Sequence, residues 1–510
     1  MRKHIIFTLA LALTTLSGYA QQRSAKRGMC WDEKTQALTN TTVAKMAPGV
    51  SWLYNWGVAP TGSPTNLGPS ESMDFAPMCW NSAYNESKLR SWLNAHPGAK
   101  YLLAFNEPNF SSQANMTPQA AANAWSKVEQ IAADYGLEIV APALNFTAEN
   151  VGGRKWSPME WYDEFFRLVP NAKVDYLAMH CYMNWAENVD WICSRYFYTD
   201  AGENDLYREE NKAKYPNLVA FLDNYKNEHG HFPKMMLTEF CSWEENVYPY
   251  RSGMTRDFQI TQMTQKLQYM EKSDLVAGYA WFMANPGGGE NEFPYESIFK
   301  SNNSQSELSE LGLVYTYMSS FDTEKYYGVD EKISAKDYID ASLNDQAVLV
   351  RRNSDSGNDE ILQVGYPTGG YTVYQIDVPW DGEYQLTLHM KSTAQNKVYV
   401  CLDRINNYAA REQIASTGGV WTDCSIPITL TAGKHLLYVY NSSTQTMYIN
   451  RLKLTTTTGI QTVEQSRGCV VSTRYYTPAG AEVQQPTEGL YIMQQVMDDG
   501  STRCSKQYIH

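Results

Sequence analysis

The chain has 510 residues, enough for two or three domains with at least one large hydrophobic core. Its 42 Lys and Arg stand against 55 Asp and Glu, and the net charge of −13 argues against nucleic acid or an anionic membrane surface as the main partner. The chain contains 36 Tyr, 16 Phe and 14 Trp. Their flat apolar rings suit the faces of sugars, although they also fill protein cores.

Residues 1–20 have the order of a secretory signal peptide. Arg2 and Lys3 are followed by the apolar run 5–16 and by the small-residue cleavage pattern of residues 18–20. The run is too short to cross a bilayer, and no other segment is long and apolar enough to do so. We therefore expect a secreted protein (periplasmic, cell-surface or extracellular) without a transmembrane segment.

The nine cysteines do not form an obvious disulfide framework. They have no short repeated spacing and no CxxC pair, so their connectivity is open and metal ligation is not expected. Cys30, Cys79, Cys181 and Cys241 each end an apolar run. At such positions cysteine usually behaves as a small hydrophobic residue, and we expect buried free thiols.

Short apolar runs alternate with helical patterns between residues 27 and 283. The runs are 27–31, 50–57, 74–81, 101–109, 138–145, 175–185, 234–243 and 277–286. Runs that are apolar throughout are typical of parallel strands buried on both faces. Helix starts at Thr117-Pro118 and Ser157-Pro158 separate some of them. The pattern predicts an α/β fold, a (β/α)8 TIM barrel over residues 21–322. A doubly wound open sheet is the alternative, but the first run lacks a nucleotide-binding glycine fingerprint.

Two glutamates follow strongly apolar runs, where the chemistry of a barrel is located. Glu107 comes after the fourth run and Glu239 after the seventh. These strands lie on roughly opposite sides of an eight-stranded barrel, so the two carboxyl groups can face each other. The alternative is that each acid caps a helix or holds a loop. Rival carboxylates nearby are Glu244, Glu245, Glu290 and Glu292.

Paired carboxyl groups about 5–5.5 Å apart hydrolyse glycosidic bonds with retention of configuration. One acts as acid and base and the other as nucleophile. This division requires that burial and the neighbouring charge raise the pKa of the acid, while hydrogen bonds keep the nucleophile ionised.

Residues 26–320 resemble glycoside hydrolase family 128, a family of retaining clan A barrels. The resemblance lies in KRGMCW, SWLYNWG, FAPMCWN, LLAFNEPN, APALN, YLAMHCY, LTEF and the strand of Trp281. It implies Glu107 as general acid/base, Glu239 as nucleophile, no cofactor, and endo cleavage of laminarin-like β-1,3-glucan by double displacement. It also implies substrate contacts from Asn106, His180, Tyr182, Trp56, Trp80, Trp185, Trp243 and, as the floor of the site, Trp281. For each aromatic side chain, packing in the core is the alternative.

Two other functions are compatible with the same residues. One is a different clan A glycanase that acts on xylan, mannan or mixed-linkage glucan. The other is a non-catalytic glycan-binding protein, which the presence of both acids disfavours. In each case the expected partner is a polysaccharide or oligosaccharide.

Short alternating strands from 323 to 456 predict a β-sandwich. This region resembles family 6 carbohydrate-binding modules in ISAKDYID, VGYPTGGYTVYQIDVPWDGEYQL, STGGVWTDCSIPITLTAGKHLLYVY and YINRLKL. The resemblance implies glycan contacts from Tyr366 or Tyr371, Trp421 and Asn450, whereas a purely structural sandwich is the alternative. Ser334 and Lys336 replace the family's usual acids, so no metal is expected.

Residues 457–510 begin with TTTTG and continue as a short β-rich tail. They resemble the C-terminal sorting or anchoring tails of exported Bacteroidetes proteins, which implies cell-surface export machinery as a partner. A small β-domain without a sorting role is the alternative.

Overall fold

The computed structural model describes residues 21–68, 71–147, 149–198, 206–243, 254–303, 305–355, 359–457, 470–478, 480–497 and 502–509. The predicted signal peptide, residues 1–20, lies outside these ranges. The chain divides into two units, Met1–Thr455 and Thr456–His510. In the described ranges no helix combines the length and apolar character needed to span a membrane.

Ten strands of the first unit's described residues form one parallel sheet. In chain order they are β1 (Arg27–Cys30), β2 (Trp52–Tyr54), β3 (Asp74–Phe75), β4 (Met78–Cys79), β5 (Tyr101–Ala104), β6 (Glu138–Val140), β7 (Leu144–Asn145), β10 (Tyr176–Cys181), β11 (Lys234–Phe240) and β12 (Val276–Trp281). Between β7 and β10, β8 (Asn150–Val151) and β9 (Arg154–Lys155) form a separate hairpin. The order across the sheet is β3-β2-β1-β12-β11-β10-β6-β5-β4, with β7 beside β10. The predicted mixed α/β class is confirmed, and the parallel strands form one curled sheet.

Helices connect most successive strands. They are α1 (Asn40–Met46), α2 (Glu86–Ala95), α3 (Pro118–Tyr135), α4 (Pro158–Leu168), α5 (Ala186–Ser194), α6 (Glu209–Lys214), α7 (Pro216–His229), α8 (Arg256–Lys272) and α9 (Glu310–Tyr317), with 3-10 turns at Gly289–Asn291 and Asn344–Gln346. Helix α3 begins where Thr117 accepts a hydrogen bond from the Ala120 N–H, and it ends at Gly136, whose φ of +67° suits glycine. Such caps are local, which is why these boundaries could be predicted.

The two faces of the parallel sheet carry different side chains. The inner face holds Cys30, Trp52, Tyr54, Ala76, Met78, Tyr101, Leu103, Val140, Ala143, Ala178, Met236 and Ala280. Alternate residues such as Leu53, Leu102, Leu177 and Leu237 belong to the larger outer core. Polar residues in register with the inner face therefore project over its carboxyl edge. Cys30, Cys79 and Cys241 are buried free thiols, as predicted, and Cys181 is buried as well.

The rest of the first unit consists of two mostly antiparallel sheets. The strands are β13 (Tyr327–Gly328), β14 (Lys332–Ser334), β15 (Asp340–Ala341), β16 (Leu349–Arg352), β17 (Leu362–Tyr366), β18 (Tyr371–Val378), β19 (Gly382–Lys391), β20 (Asn396–Leu402), β21 (Tyr408–Ile414), β22 (Thr422–Leu430), β23 (Gly433–Asn441) and β24 (Met447–Thr456). One sheet has the order β13-β18-β23-β20-β21 and the other β16-β17-β24-β19-β22. Lys272 of α8 pairs with Asp340 at 2.9 Å, so these sheets contact the helices of the parallel sheet.

The second unit contains four described strands in one antiparallel sheet. They are β25 (Val470–Tyr476), β26 (Glu482–Val483), β27 (Gly489–Met497) and β28 (Thr502–Ile509), in the order β26-β25-β27-β28. The predicted β-rich tail thus has a regular sheet.

Candidate active site

Glu107 lies just beyond the carboxyl end of β5. Its N–H donates to the Ala143 carbonyl at 2.8 Å, and its φ is +43°, an uncommon value for a residue with a Cβ atom. Its side chain is nearly buried and reaches over the inner face, where Oε1 accepts a hydrogen bond of 2.7 Å from Asn145 Nδ2. The sharp turn after β5 therefore places one carboxylate over the sheet.

Glu239 is on β11 and is also almost fully buried. Its Oε1 accepts hydrogen bonds from the Tyr54 hydroxyl at 3.1 Å and from Trp56 Nε1 at 2.7 Å. Its Oε2 accepts a hydrogen bond from the Tyr182 hydroxyl. Three donors from two strand ends thus hold this carboxylate in one orientation.

His180 lies between the two glutamates. It is directly opposite Glu239 in the β10–β11 register, after an irregularity between Met179 and His180. Its Nδ1 is 2.7 Å from Oε1 of Glu107 and 3.2 Å from Oε2 of Glu239, and its Nε2 is 3.0 Å from Oγ1 of Thr238. The contacting atoms of His180, Glu107 and Glu239 all lie within 4.8 Å of one another.

This arrangement shifts the pKa of each member of the cluster. Burial raises the pKa of Glu107, but the charge of His180 and hydrogen bonds from His180 and Asn145 outweigh it and lower the pKa overall. Burial raises the pKa of Glu239, and the charge of Glu107 adds to this effect while His180 opposes it. Burial would lower the pKa of His180, but the two carboxylates raise it. In the substrate-free site these directions are opposite to those expected from sequence for an acid at 107 and an ionised nucleophile at 239.

One imidazole and two carboxylates are donor types that zinc also uses. Two ligands of one tetrahedral zinc ion would be about 3.3 Å apart, since each bond is about 2.0–2.2 Å long. Nδ1 of His180 is only 2.7 Å from Oε1 of Glu107, a normal distance for a charged hydrogen bond. We therefore interpret the three residues as a hydrogen-bonded acid cluster.

A cavity of about 1410 Å³ opens above the two glutamates. Its aromatic lining comprises Trp56, Trp80, Tyr84, Phe110, Phe146, Tyr182, Trp243 and Phe282. Its polar lining includes Asn55, Asn81, Asn106, Gln113, Asn145 and His180. A large cleft with aromatic walls and two buried carboxyl groups can bind sugar rings and perform acid–base and nucleophilic chemistry on them.

The model of the glycosyl hydrolase catalytic core family matches residues 28–203 and 206–315, which together are more than half of the chain. The chain belongs to this family. It is therefore a glycoside hydrolase, as predicted.

Several known proteins are similar to this glycoside hydrolase over more than half of its chain. Alkali-sensitive linkage protein 1 of Schizosaccharomyces pombe is 23% identical over 300 residues, 56% of this chain and 44% of that protein. The chain thus spans less than half the length of this relative. A family 128 (subgroup II) endo-β-1,3-glucanase from Pseudomonas viridiflava is 29% identical, with coverage of 58% of this chain and 98% of that one and a TM-score of 0.41. The corresponding Sorangium cellulosum enzyme is 25% identical, with coverage of 57% and 98% and a TM-score of 0.39.

Most residues predicted for the hydrolase site line its cavity. Besides Glu107 and Glu239, these are Asn106, His180, Tyr182, Trp56, Trp80 and Trp243. Of the rival acids, Glu290 pairs with Arg256 at 2.7 Å and Glu292 is exposed, and neither lines this cavity. Glu244 and Glu245 lie outside the described residues.

Two predicted tryptophans do not reach the cavity. Trp281 is fully buried in the outer core, where its Nε1 donates to the Glu296 carbonyl at 2.8 Å. Because side chains alternate along β12, Ala280 faces inward and Trp281 faces outward, and Phe282 lines the cavity instead. Trp185 is 53% exposed and packs edge-on against Phe258. The prediction that Trp281 forms the floor of the site is therefore wrong, because its side chain points to the other face of the sheet. Trp185 is not part of the cavity lining either.

The four accessory residues do not form one site. Tyr366 is fully buried, with its hydroxyl 2.7 Å from Thr372 Oγ1, and Asn450 is fully buried as well, so neither can contact a glycan. Tyr371 is half-buried on the other sheet, 5.9 Å from Tyr438. Trp421 is also partly exposed, and its ring stacks on His389.

Sequence reasoning missed Tyr54, Asn145, Thr238 and Phe282 as parts of the site. Asn145 ends the APALN segment, so its position at a strand end was a usable signal. Side chains alternate between the two faces of a strand, so Tyr54 lies on the same face as Trp56, and Phe282 on the same face as Ala280. A correct assignment of which residues face inward would have identified Tyr54 and Phe282. No feature of the sequence marks Thr238 as a site residue, because its hydroxyl contributes to the site only by its hydrogen bond with His180.

Proposed function

We propose that this glycoside hydrolase is a retaining enzyme that cleaves β-1,3-glucan within the chain, with Glu239 as nucleophile and Glu107 as general acid/base. The observation that carries this proposal is the proximity of the two carboxylates, which have oxygens within 4.8 Å of each other at the base of the cavity. Retaining glycosidases have carboxyl groups about 5–5.5 Å apart, whereas inverting ones leave about 6.5–9.5 Å for a water molecule.

The hydrogen bonds around each glutamate favour this assignment of roles. Glu239 accepts from Tyr54, Trp56 and Tyr182, and donors of this kind stabilise an ionised carboxylate that must attack the anomeric carbon. Glu107 is held through its Oε1 by Asn145 and His180. Its second oxygen is then available to the leaving oxygen of the sugar.

The choice of β-1,3-glucan rests on the resemblance of the motifs around both glutamates to family 128. Aromatic side chains on both walls of the cavity, such as Trp80 and Trp243, are compatible with a neutral polysaccharide. Xylan, mannan and mixed-linkage glucan are the competing substrates of the same catalytic apparatus. A non-catalytic glycan-binding role is the remaining alternative.

A panel of laminarin, xylan, mannan and lichenan tests the substrate. We expect reducing ends to appear fastest from laminarin, with the β-anomer as the first product in proton NMR, as retention requires. An α-anomer would refute retention, and preference for another polysaccharide would refute the substrate assignment. Binding of laminarin without turnover would favour the non-catalytic glycan-binding role.

Matched substitutions test the roles of the two acids. Glu239→Gln should abolish hydrolysis while substrate still binds. Glu107→Gln should lose activity on laminarin but keep much of its first chemical step on an aryl glycoside with a good leaving group, which needs no proton. Full activity of either variant on laminarin would contradict its assigned role.

The finer fold is proposed as a closed eight-stranded barrel followed by a β-sandwich. The Ala76 N–H donates to the Leu53 carbonyl of β2 at 2.9 Å, and the Leu103 N–H of β5 donates to the Pro77 carbonyl at 2.9 Å. These bonds support closure, because residues 74–79 then form one interrupted strand between β2 and β5. The two mostly antiparallel sheets with buried inner residues support the sandwich.

Export and glycan binding by the accessory region are further proposals. The charged, apolar and small-residue order of residues 1–20 supports export, and the tail after residue 457 supports sorting to the cell surface. Accessory glycan binding, if it follows the family 6 resemblance, depends on Trp421. Fractionation of a culture that expresses the full chain tests export.

A further inference from the structure

His180 makes contacts that a substrate-binding residue does not need. The whole residue is only 1% exposed, so it offers almost no surface to a sugar. Both ring nitrogens are in hydrogen bonds with protein groups, Nδ1 with the two glutamates and Nε2 with the Thr238 hydroxyl. The ring therefore acts on the carboxylates and not directly on the substrate.

The two ring nitrogens of His180 face different kinds of partner. When both carboxylates are ionised they can only accept hydrogen bonds, so Nδ1, at 2.7 and 3.2 Å from them, is then the donor. The Thr238 hydroxyl can donate to Nε2 or accept from it. The ring can thus lose the Nδ1 proton and still keep a hydrogen bond at Nε2.

Double displacement requires one proton for the leaving oxygen while the nucleophile stays ionised. We propose that His180 stores this proton between the two carboxylates and loads Glu107 with it, as a positioning residue that acts through Glu107. This inference rests on the proposed retaining mechanism. In the usual arrangement, a glutamate with a raised pKa holds this proton by itself. Here the proton is held by a histidine within the cluster.

The proposed steps balance in atoms and charge. At the start His180 is an imidazolium and both glutamates are ionised, a net charge of −1. Nδ1 first gives its proton to Oε1 of Glu107, and the protonated carboxyl group turns about its Cγ–Cδ bond to present the O–H to the leaving oxygen. Glu239 then forms a bond to the anomeric carbon as the glycosidic C–O bond breaks and the leaving oxygen takes the proton. The ester of Glu239, neutral His180 and ionised Glu107 again sum to −1.

The second half of the cycle returns the proton. Water gives one proton to Glu107, its hydroxide attacks the anomeric carbon, and the ester bond to Glu239 breaks. The proton moves from Glu107 back to Nδ1, so the starting state is restored with a proton taken from the attacking water.

The titratable groups that face the ring come from three elements. Glu107 follows β5, Glu239 is on β11, and Tyr182 follows β10 with its ring centre 6.5 Å from that of His180. Tyr54 on β2 reaches the cluster through Glu239. Among these groups the two glutamates are the nearest charges, and both favour the imidazolium.

The test compares the full chain with His180→Asn, whose side-chain amide can keep a donor near the position of Nδ1 but cannot store a proton. Histidines labelled with nitrogen-15 report protonation directly, and the His180 signal among eight histidines is the one absent from the variant. We expect His180 to remain an imidazolium at pH 7.5, and to become neutral at lower pH in Glu107→Gln. A neutral His180 at pH 7.5 in the unsubstituted chain would overturn the inference.

Kinetics provide the second readout. His180→Asn should lower kcat on laminarin by about 100-fold, the usual scale of general acid catalysis, and move the alkaline limb of the pH profile to lower pH. On an aryl glycoside with a good leaving group, the first step should change less than about 5-fold. An unchanged pH profile on laminarin would overturn the inference about His180 but would leave the proposed function intact. If the unsubstituted chain hydrolyses no glucan, the proposed function fails, while the nitrogen-15 spectra still decide the state of His180.

Discussion

The indole Nε1 of Trp56 donates a hydrogen bond of 2.7 Å to Oε1 of Glu239, although the two residues are 183 positions apart in the chain. Trp56 lies just beyond β2 with a φ of +57°. A left-handed conformation costs roughly 1–3 kcal/mol for a residue other than glycine, so the surrounding packing must impose it. Tyr54 and Phe282 contact the indole edge-on at 5.2 and 5.9 Å and hold it over the carboxylate.

Trp56→Phe should therefore impair the step that requires ionised Glu239. The substitution keeps an aromatic ring but removes one donor to a charged acceptor, which is worth about 1.5–3 kcal/mol. We expect kcat/KM on an aryl glycoside to fall about 10- to 100-fold, and the acid limb of the pH profile to move to higher pH because the ionised form loses a partner.

Trp80→Phe is the matched control. Trp80 lines the same cavity but is not among the described hydrogen-bond partners of either glutamate. It should change KM without moving the acid limb. Equal shifts of the acid limb in both variants would show that the Trp56 hydrogen bond has no special effect on Glu239.

Trp281 and Phe282 should separate stability from substrate binding. Trp281 packs edge-on against Phe240 at 5.3 Å in the outer core, so Trp281→Phe leaves a void and an unpaired Glu296 carbonyl. We expect a loss of about 1–3 kcal/mol in the free energy of unfolding with little change in KM. Phe282→Ala should instead raise KM, because Phe282 lines the cavity. Denaturant unfolding and initial rates on laminarin measure both quantities, and a larger KM effect at Trp281 would contradict the structural positions.

Trp421 should be responsible for any glycan binding by the accessory region. Its Nε1 donates to Asp355 at 2.6 Å and Lys391 lies 4.9 Å from the ring centre, so the indole is held at the surface. Trp421→Ala in a Glu239→Gln background should weaken adsorption to insoluble β-1,3-glucan, while Tyr366→Phe, which alters a buried hydroxyl, should not. Equal adsorption of both variants would indicate a purely structural region.

The sequence predicts the strands of the parallel sheet and both glutamates because their signals are local. Buried parallel strands are continuous apolar runs, and the caps at Thr117 and Ser157 mark helix starts within a few residues. Glu107 and Glu239 stand at strand ends, where an acid after an apolar run is conspicuous. These features need no knowledge of which strands are neighbours.

The remaining parts of the site depend on which side chains of a strand face the cavity and on the register in which strands pair. Short strands specify neither. In β12 a shift of one residue exchanges Trp281 for Phe282 at the cavity wall. His180 faces Glu239 only after the register irregularity that follows Met179. Both details arise from pairing between distant segments, so the proton-sharing geometry of the cluster could not be predicted from a single strand.

Glu296 is a buried carboxyl group that the proposed reaction does not use. The residue is 5% exposed, and neither carboxyl oxygen has a hydrogen-bond partner among the described residues. Burial raises its pKa to about 8. An acid whose pKa is higher in the folded than in the unfolded state binds its proton more tightly when folded, so its contribution to stability is complete below the ordinary pKa and is lost as pH rises toward 8.

Glu296→Gln should remove this pH dependence. At pH 4.5 the variant and the unsubstituted chain should have similar free energies of unfolding, and by pH 7 the variant should be more stable by about 3 kcal/mol. Denaturant unfolding at several pH values measures the difference, with the exposed Glu292→Gln as a control that should show no trend. A constant difference across this range would mean that the Glu296 carboxyl keeps an ordinary pKa in the folded protein, because only a group whose proton affinity changes on folding can make stability depend on pH.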